Sequence, residues 1–201
     1  METKETANAL KLNKIYLFDD ANESSKEDRI IKKLKRLMKD FFVDYLDPTT
    51  TDPFEVYVGG QVYMNNDWQL INNGNDRIGY NEYTKELLKD KLKKAFSKQD
   101  SVLLIDYYLV DNPIGDNVET AFNYLKRMLI MNKKNLTDNR VRILFYSAWP
   151  NPNMGKDIRE LEIPNIYCSR IDFTNDIEII KYNFKEFFRV VSIKEKPKKD
   201  N

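Results

Sequence analysis

Four side chains able to do chemistry stand at the carboxyl ends of apolar runs in this chain: Asp19 and Asp20 after KIYLF, Asp106 after SVLLI, and Ser147 after VRILFY. A lone strand-ending aspartate caps a turn as readily as it takes part in a reaction, so everything depends on whether these residues converge. Carboxylates brought to one point repel, and such a cluster either takes up a proton or holds a divalent cation. An aspartate beside a cation can also receive phosphate, because the cation and a hydroxyl or ammonium donor neutralise the equatorial oxygens of a phosphoryl group in transfer. Asp106 is the central residue of the set: the run that carries it, Val102 to Ile105, has no polar member and reads as a strand covered on both faces.

Composition narrows the chemistry further. The chain has 201 residues, with 33 basic and 32 acidic side chains, no histidine and a single cysteine, Cys168. Without imidazole there is no Ser-His or Cys-His nucleophile pair, and with one thiol there is no intrachain disulfide and no Cys/His zinc site. A metal must therefore be bound by oxygen, which favours a hard cation such as Mg²⁺. The net charge of +1 supplies no general field for nucleic acid or an anionic membrane. No apolar run at the N-terminus has the length of a signal peptide and none later reaches membrane-spanning length, so a cytoplasmic protein without a membrane partner is expected. Cys168 is expected to be an inert core thiol, with only Arg170 near it in sequence to favour a thiolate.

Bringing the acids together takes an ordered set of strands. Residues 1–13 are polar and aperiodic and read as a flexible tail. Lys14 to Phe18 reads as a strand, followed by Ser24 and Glu27 at capping-box spacing and a helical stripe of Ile30, Ile31, Leu34, Leu37, Met38, Phe41, Phe42 and Tyr45. Asp47-Pro48 and Asp52-Pro53 close this unit, and Phe54 to Val58 reads as the second strand. Residues 59–80, punctuated by Gly and Asn, read as a hairpin-like insertion whose Tyr63 and Trp68 either pack on the parent domain, the more usual fate of such aromatics, or form a partner-binding surface. A helix over Glu82 to Lys98 leads to the Asp106 strand. Asp116 and Glu119 then cap a helix with Val118, Ala121, Phe122, Leu125 and Leu129 on its inner face, and Val141 to Ala148 is the fourth strand. A short helix over Lys156 to Leu161, a fifth strand over Asn165 to Ile171, and a last helix capped by Thr174 bring the single domain, residues 14–192, to its end before a second tail, 193–201. Five strands alternating with five helices predict a doubly wound, five-stranded parallel sheet with helices on both faces, and the carboxyl ends of its strands share one rim.

In order and in type, these residues resemble the receiver domain of bacterial response regulators, with its flavodoxin-like α/β fold. The family's acid pair looks like Asp19-Asp20 in FDDAN, its phosphoacceptor looks like Asp106 in LLIDYYL, and its hydroxyl residue with the small residue after it looks like Ser147-Ala148. The family's switch aromatic is similar to Tyr167, which puts Arg170 at the position of the family's lysine; a slip in the fifth strand would put Ser169 there instead. The resemblance implies a metal shell of Asp19, Asp20, Asp106 and the backbone carbonyl of Tyr108, holding Mg²⁺. It also implies transfer of a phosphoryl group to Asp106 from a phosphohistidine on a histidine kinase or phosphotransfer protein, with output through protein contacts, a homodimer among them.

The chain departs from the family at three points: Arg170 replaces a lysine with a larger, planar cation, the interval from Asp20 to Asp106 is lengthened around residues 59–80, and Pro113 falls late. These departures suit an alternative, a degenerate receiver acting as a non-phosphorylated interaction module with Arg170 in a standing ion pair with Asp106 or Asp20. A third reading, an Mg²⁺-dependent phosphohydrolase with an aspartyl nucleophile, requires Asp-x-Asp, whereas Ala21 and Asn22 follow here. The expectation is a phosphoacceptor domain and not a turnover enzyme.

Overall fold

The strands Lys14–Asp19, Phe54–Val58, Ser101–Asp106 and Arg142–Ser147 are buried on both faces, and that dictates a layered architecture with helices above and below a sheet. The computed structural model describes residues 10–19, 24–58, 61–64, 69–71, 82–108, 121–148 and 153–194. In chain order the elements are β1 (Lys14–Asp19), α1 (Ser24–Asp40), β2 (Phe54–Val58), β3 (Gln61–Met64), β4 (Gln69–Ile71), α2 (Glu82–Phe96), β5 (Ser101–Asp106), α3 (Ala121–Met131), α4 (Lys133–Asp138), β6 (Arg142–Ser147), α5 (Met154–Glu160), β7 (Ile166–Arg170) and α6 (Ile177–Lys194), with a 3₁₀ turn at Phe42–Tyr45.

The sheet has seven strands in the order β4-β3-β2-β1-β5-β6-β7. All pairings from β2 through β7 across the centre are parallel, while β3 and β4 run antiparallel as a hairpin added to the free side of β2. The five parallel strands are therefore the flavodoxin-like doubly wound sheet anticipated from the pattern, and the insertion continues that sheet as two further strands. Alternation divides the core. Ile15, Leu17, Val102, Leu104, Leu144 and Tyr146 face α1 and α6, where Ile31, Leu34, Phe184 and Phe188 meet them. Tyr16, Phe18, Leu103, Ile105 and Phe145 face the opposite layer, where Leu92, Phe96, Phe122, Leu125 and Ile158 meet them.

The returns from helix to sheet share one device. Asp100 and Arg140, within two residues of the next strand, and Glu162, four residues before β7, have φ of 51°, 52° and 51°. At Arg140 the pattern is a Schellman motif: its N–H donates to Thr137 O and the N–H of Val141 donates to Leu136 O, which closes α4 and turns the chain into β6.

Several expectations are corrected by this arrangement. The stretch read as a tail is packed from Leu10 onward: Leu10 and Leu12 are buried, and the N–H of Leu12 donates to Tyr45 O while Asp47 N–H donates to Leu12 O. A sixth helix, α4, follows α3 after a break at Asn132, and α6 runs to Lys194, into the segment read as the second tail. Thr174 does not cap α6, which starts at Ile177; its N–H and hydroxyl instead donate to Asp172 Oδ1 in a turn (2.7 and 2.6 Å). Cys168 is not a core thiol, because β7 is an edge strand and its side chain is exposed there. Asp116, Val118, Glu119 and Trp68, and the side chains of Ser24, Glu27 and Tyr63, lie outside the described residues. No helix among the described residues is long and apolar enough to cross a membrane.

Candidate functional site

Strand register decides which residues meet at the carboxyl rim. β1 and β5 pair from Lys14↔Ser101 to Phe18↔Ile105, so one step further along the same register puts Asp19 beside Asp106. Asp106 pairs in turn with Tyr146 of β6, and Ser147, one residue on, pairs with Arg170 of β7. Side chains in register on parallel strands point to the same face. Asp19, Asp106 and Tyr146 therefore share the face of Leu17, Leu104 and Leu144, whereas Ser147 and Arg170 follow the parity of Phe145 on the other.

Each side chain has identifiable surroundings. Asp106 is half-buried, and its Oδ1 accepts the backbone N–H of Tyr108 at 3.0 Å, a local turn at the strand end. Tyr108 thus meets Asp106 through its N–H, and its ring lies edge-on to Tyr107 at 5.1 Å. Ser147 is buried, its carbonyl accepting the N–H of Ile171 (3.1 Å), and Ala148 after it is half-exposed. Tyr167 packs edge-on against Phe187 of α6, with ring centroids 5.3 Å apart. Arg170 is exposed, with its backbone carbonyl accepting Asn183 Nδ2 (3.0 Å). Among the described residues its guanidinium makes no hydrogen bond or ion pair; of the two partners expected in a degenerate module, Asp106 or Asp20, Asp106 is not paired with it. Asp20, the second acid of FDDAN, lies outside the described residues. Burial pushes the Cys168 thiol up from its ordinary range, against the opposing pull of Arg159 on α5.

Two tyrosines that sequence reasoning passed over complete the rim. The Tyr146 hydroxyl donates to Asp19 Oδ2 at 2.6 Å, reaching from β6 across β5 to β1. The Tyr107 hydroxyl donates to Asp157 Oδ2 at 2.6 Å, tying the residue after Asp106 to the first turn of α5. Both side chains are almost fully buried, at 2% and 1% exposed. Their signal was present as tyrosines inside or just after the most apolar strands, where a hydroxyl must find a partner. The partners are 127 and 50 residues away, so no local pattern names them. A third tie, from Lys33 Nζ on α1 to the carbonyls of Phe173 (2.5 Å) and Asn175, fixes the loop between β7 and α6.

Asp19 and Asp106, on adjacent strands and one face of the rim in a chain without histidine, are oxygen donors of the type that a hard divalent cation takes. Among the described residues no group of three or more His, Cys, Asp or Glu side chains stands together; the third acid of the expected set is Asp20. No family model matches the chain, and no curated protein matches it. Among solved structures, it is similar to a fusion carrying the trimeric coiled coil, amino acids 181–211, of yeast Spc42, with 11% identity, 94% of this chain and 85% of that one covered, and a TM-score of 0.41. Likeness at that level carries no argument about function.

Proposed function

We propose that this chain is a receiver-like signalling module in which Asp106 accepts a phosphoryl group from a phosphohistidine on a kinase or phosphotransfer partner. The observation that supports the reading is the register at the rim, with Asp19 beside Asp106 on one face of the central strand pair. An Asp106 carboxylate oxygen attacks phosphorus as the N–P bond to imidazole breaks; the new O–P bond makes an acyl phosphate, and the imidazole nitrogen keeps the electron pair. The Ser147 hydroxyl donates to a phosphoryl oxygen. The Arg170 guanidinium, which has no standing partner among the described residues, swings in to pair with the added negative charge. Asp19, Asp20, Asp106 and the Tyr108 carbonyl would hold Mg²⁺, which when bound supplies charge neutralisation for the phosphoryl oxygens. Output is through a changed protein-binding surface.

The test is incubation with acetyl phosphate and Mg²⁺, read by intact mass. The wild type gains one phosphoryl group and Asp106→Asn gains none. Absence of labelling in the wild type, or labelling that survives Asp106→Asn, overturns the proposal and leaves the non-phosphorylated module.

A further inference from the structure

Asp19 is expected to be a ligand, and ligands work only when held. On β1 its carboxylate belongs to the last residue of the strand. A carboxylate left to rotate about its last side-chain torsion must be ordered at the moment a cation arrives, and that ordering weakens binding. The structure supplies a hold from an unexpected direction. Tyr146 is on β6, with all of β5 between it and Asp19. Two strand spacings separate their backbones, about 10 Å. A serine, aspartate or asparagine on β6 is too short to cross that gap, and a tyrosine carries its donor at the tip of a rigid ring. The hydroxyl reaches Asp19 Oδ2 at 2.6 Å, a distance typical of a hydroxyl donating to a charged oxygen.

The ring itself has little freedom. It is buried among the side chains that face α1 and α6, and it meets Phe173 edge-on at 5.7 Å and 80°. The donor is therefore fixed by packing before any ligand binds. Its chemistry also matters. A lysine or arginine reaching the same oxygen would fix the carboxylate too, but would cancel the charge that attracts a cation. A phenol donates a hydrogen bond and carries no charge, so it orients Asp19 and leaves it an anion.

We infer that Tyr146 is a positioning residue for the cation site, orienting the Asp19 carboxylate beside Asp106 without neutralising it; this rests on the functional reading above. Tyr146→Phe removes the hydroxyl and keeps the ring, so the packing against Phe173 survives. The experiment is a calorimetric Mg²⁺ titration of the wild type, Tyr146→Phe and Tyr107→Phe, with thermal melting of each in EDTA. Tyr107→Phe is the control, because it also removes a buried phenol hydroxyl but one bonded to Asp157 on α5. The Mg²⁺ dissociation constant rises at least ~10-fold in Tyr146→Phe and stays at the wild-type value in Tyr107→Phe, although both variants melt lower. Should Tyr146→Phe be poorly folded, Tyr146→Met repeats the comparison. Mg²⁺ binding in Tyr146→Phe within about twofold of wild type, or equal weakening in both variants, overturns the positioning role alone. A wild type that binds no Mg²⁺ overturns the functional reading together with it.

Discussion

Arg170 ends β7 in register with Ser147, and its guanidinium has no partner among the described residues to give up before meeting an anion. Arg170→Lys is therefore expected to keep acetyl-phosphate labelling and Arg170→Ala to reduce it, measured as labelled fraction against time by intact mass. Cys168 predicts the opposite kind of behaviour: exposed on an edge strand, it has a thiol held above its ordinary range by partial burial. Its alkylation by iodoacetamide should be slow at pH 7.5 and rise about tenfold per pH unit through pH 9, because only the thiolate reacts. Rapid alkylation at neutral pH contradicts this. At this scale, what was legible depended on range. Asp19 and Asp106 were readable because an apolar run that ends in an acid is a local pattern, and the strand register brings them side by side. Tyr146 was not, because its meaning lies in a bond across an intervening strand. Cys168 was misplaced because burial at the sheet edge depends on which strand is outermost, which the local sequence does not encode.

Among the elements, α5 carries the mismatched residues. Gly155 sits inside the helix, where a Cβ would meet Arg159 Nη1 at 3.5 Å and Cys168 Sγ at 3.9 Å, ordinary contact distances. Glu162 sits just past the helix end at φ 51°, where glycine is favoured. Gly155→Ala should raise stability by about 0.5 kcal/mol, and Glu162→Gly by about 1 kcal/mol, each checked by urea denaturation with unchanged m-value. The Tyr107 bond to Asp157 holds this same helix to the end of β5. Tyr107→Phe should cost about 1–3 kcal/mol, since it leaves a partly buried carboxylate without its donor. Helices with long apolar stripes, such as α1, were legible from periodicity. The short α4 was not, because six residues make fewer than two turns and only the Schellman closure at Arg140 and Val141 defines its end. Thr174 failed as a cap for a related reason: Asp172 captures its hydroxyl and N–H first.

For the whole molecule, β5 is the middle of the five parallel strands, and Leu104 at its centre is fully buried between β1 and β6. Leu104→Ala should cost about 2–5 kcal/mol, seen as a lower urea midpoint. The parallel order was legible because strands with no polar face alternate with helices, which leaves few other topologies. The hairpin's place was only half legible: its turn residues marked β3 and β4, but their addition to the edge of β2 depends on backbone pairing that carries no side-chain signature. What the parallel sheet achieves is to bring distant strand ends to one rim, with Asp19 and Asp106 on one face and Ser147 and Arg170 on the other. The most direct measurement of that claim is a crystal structure of the protein with Mg²⁺ and beryllofluoride, a phosphoryl mimic. The account predicts beryllofluoride bonded to an Asp106 oxygen, with Mg²⁺ beside it on Asp19 and the Ser147 hydroxyl donating to a fluorine. An Asp106 carboxylate that stays bare under saturating beryllofluoride and Mg²⁺ would contradict it.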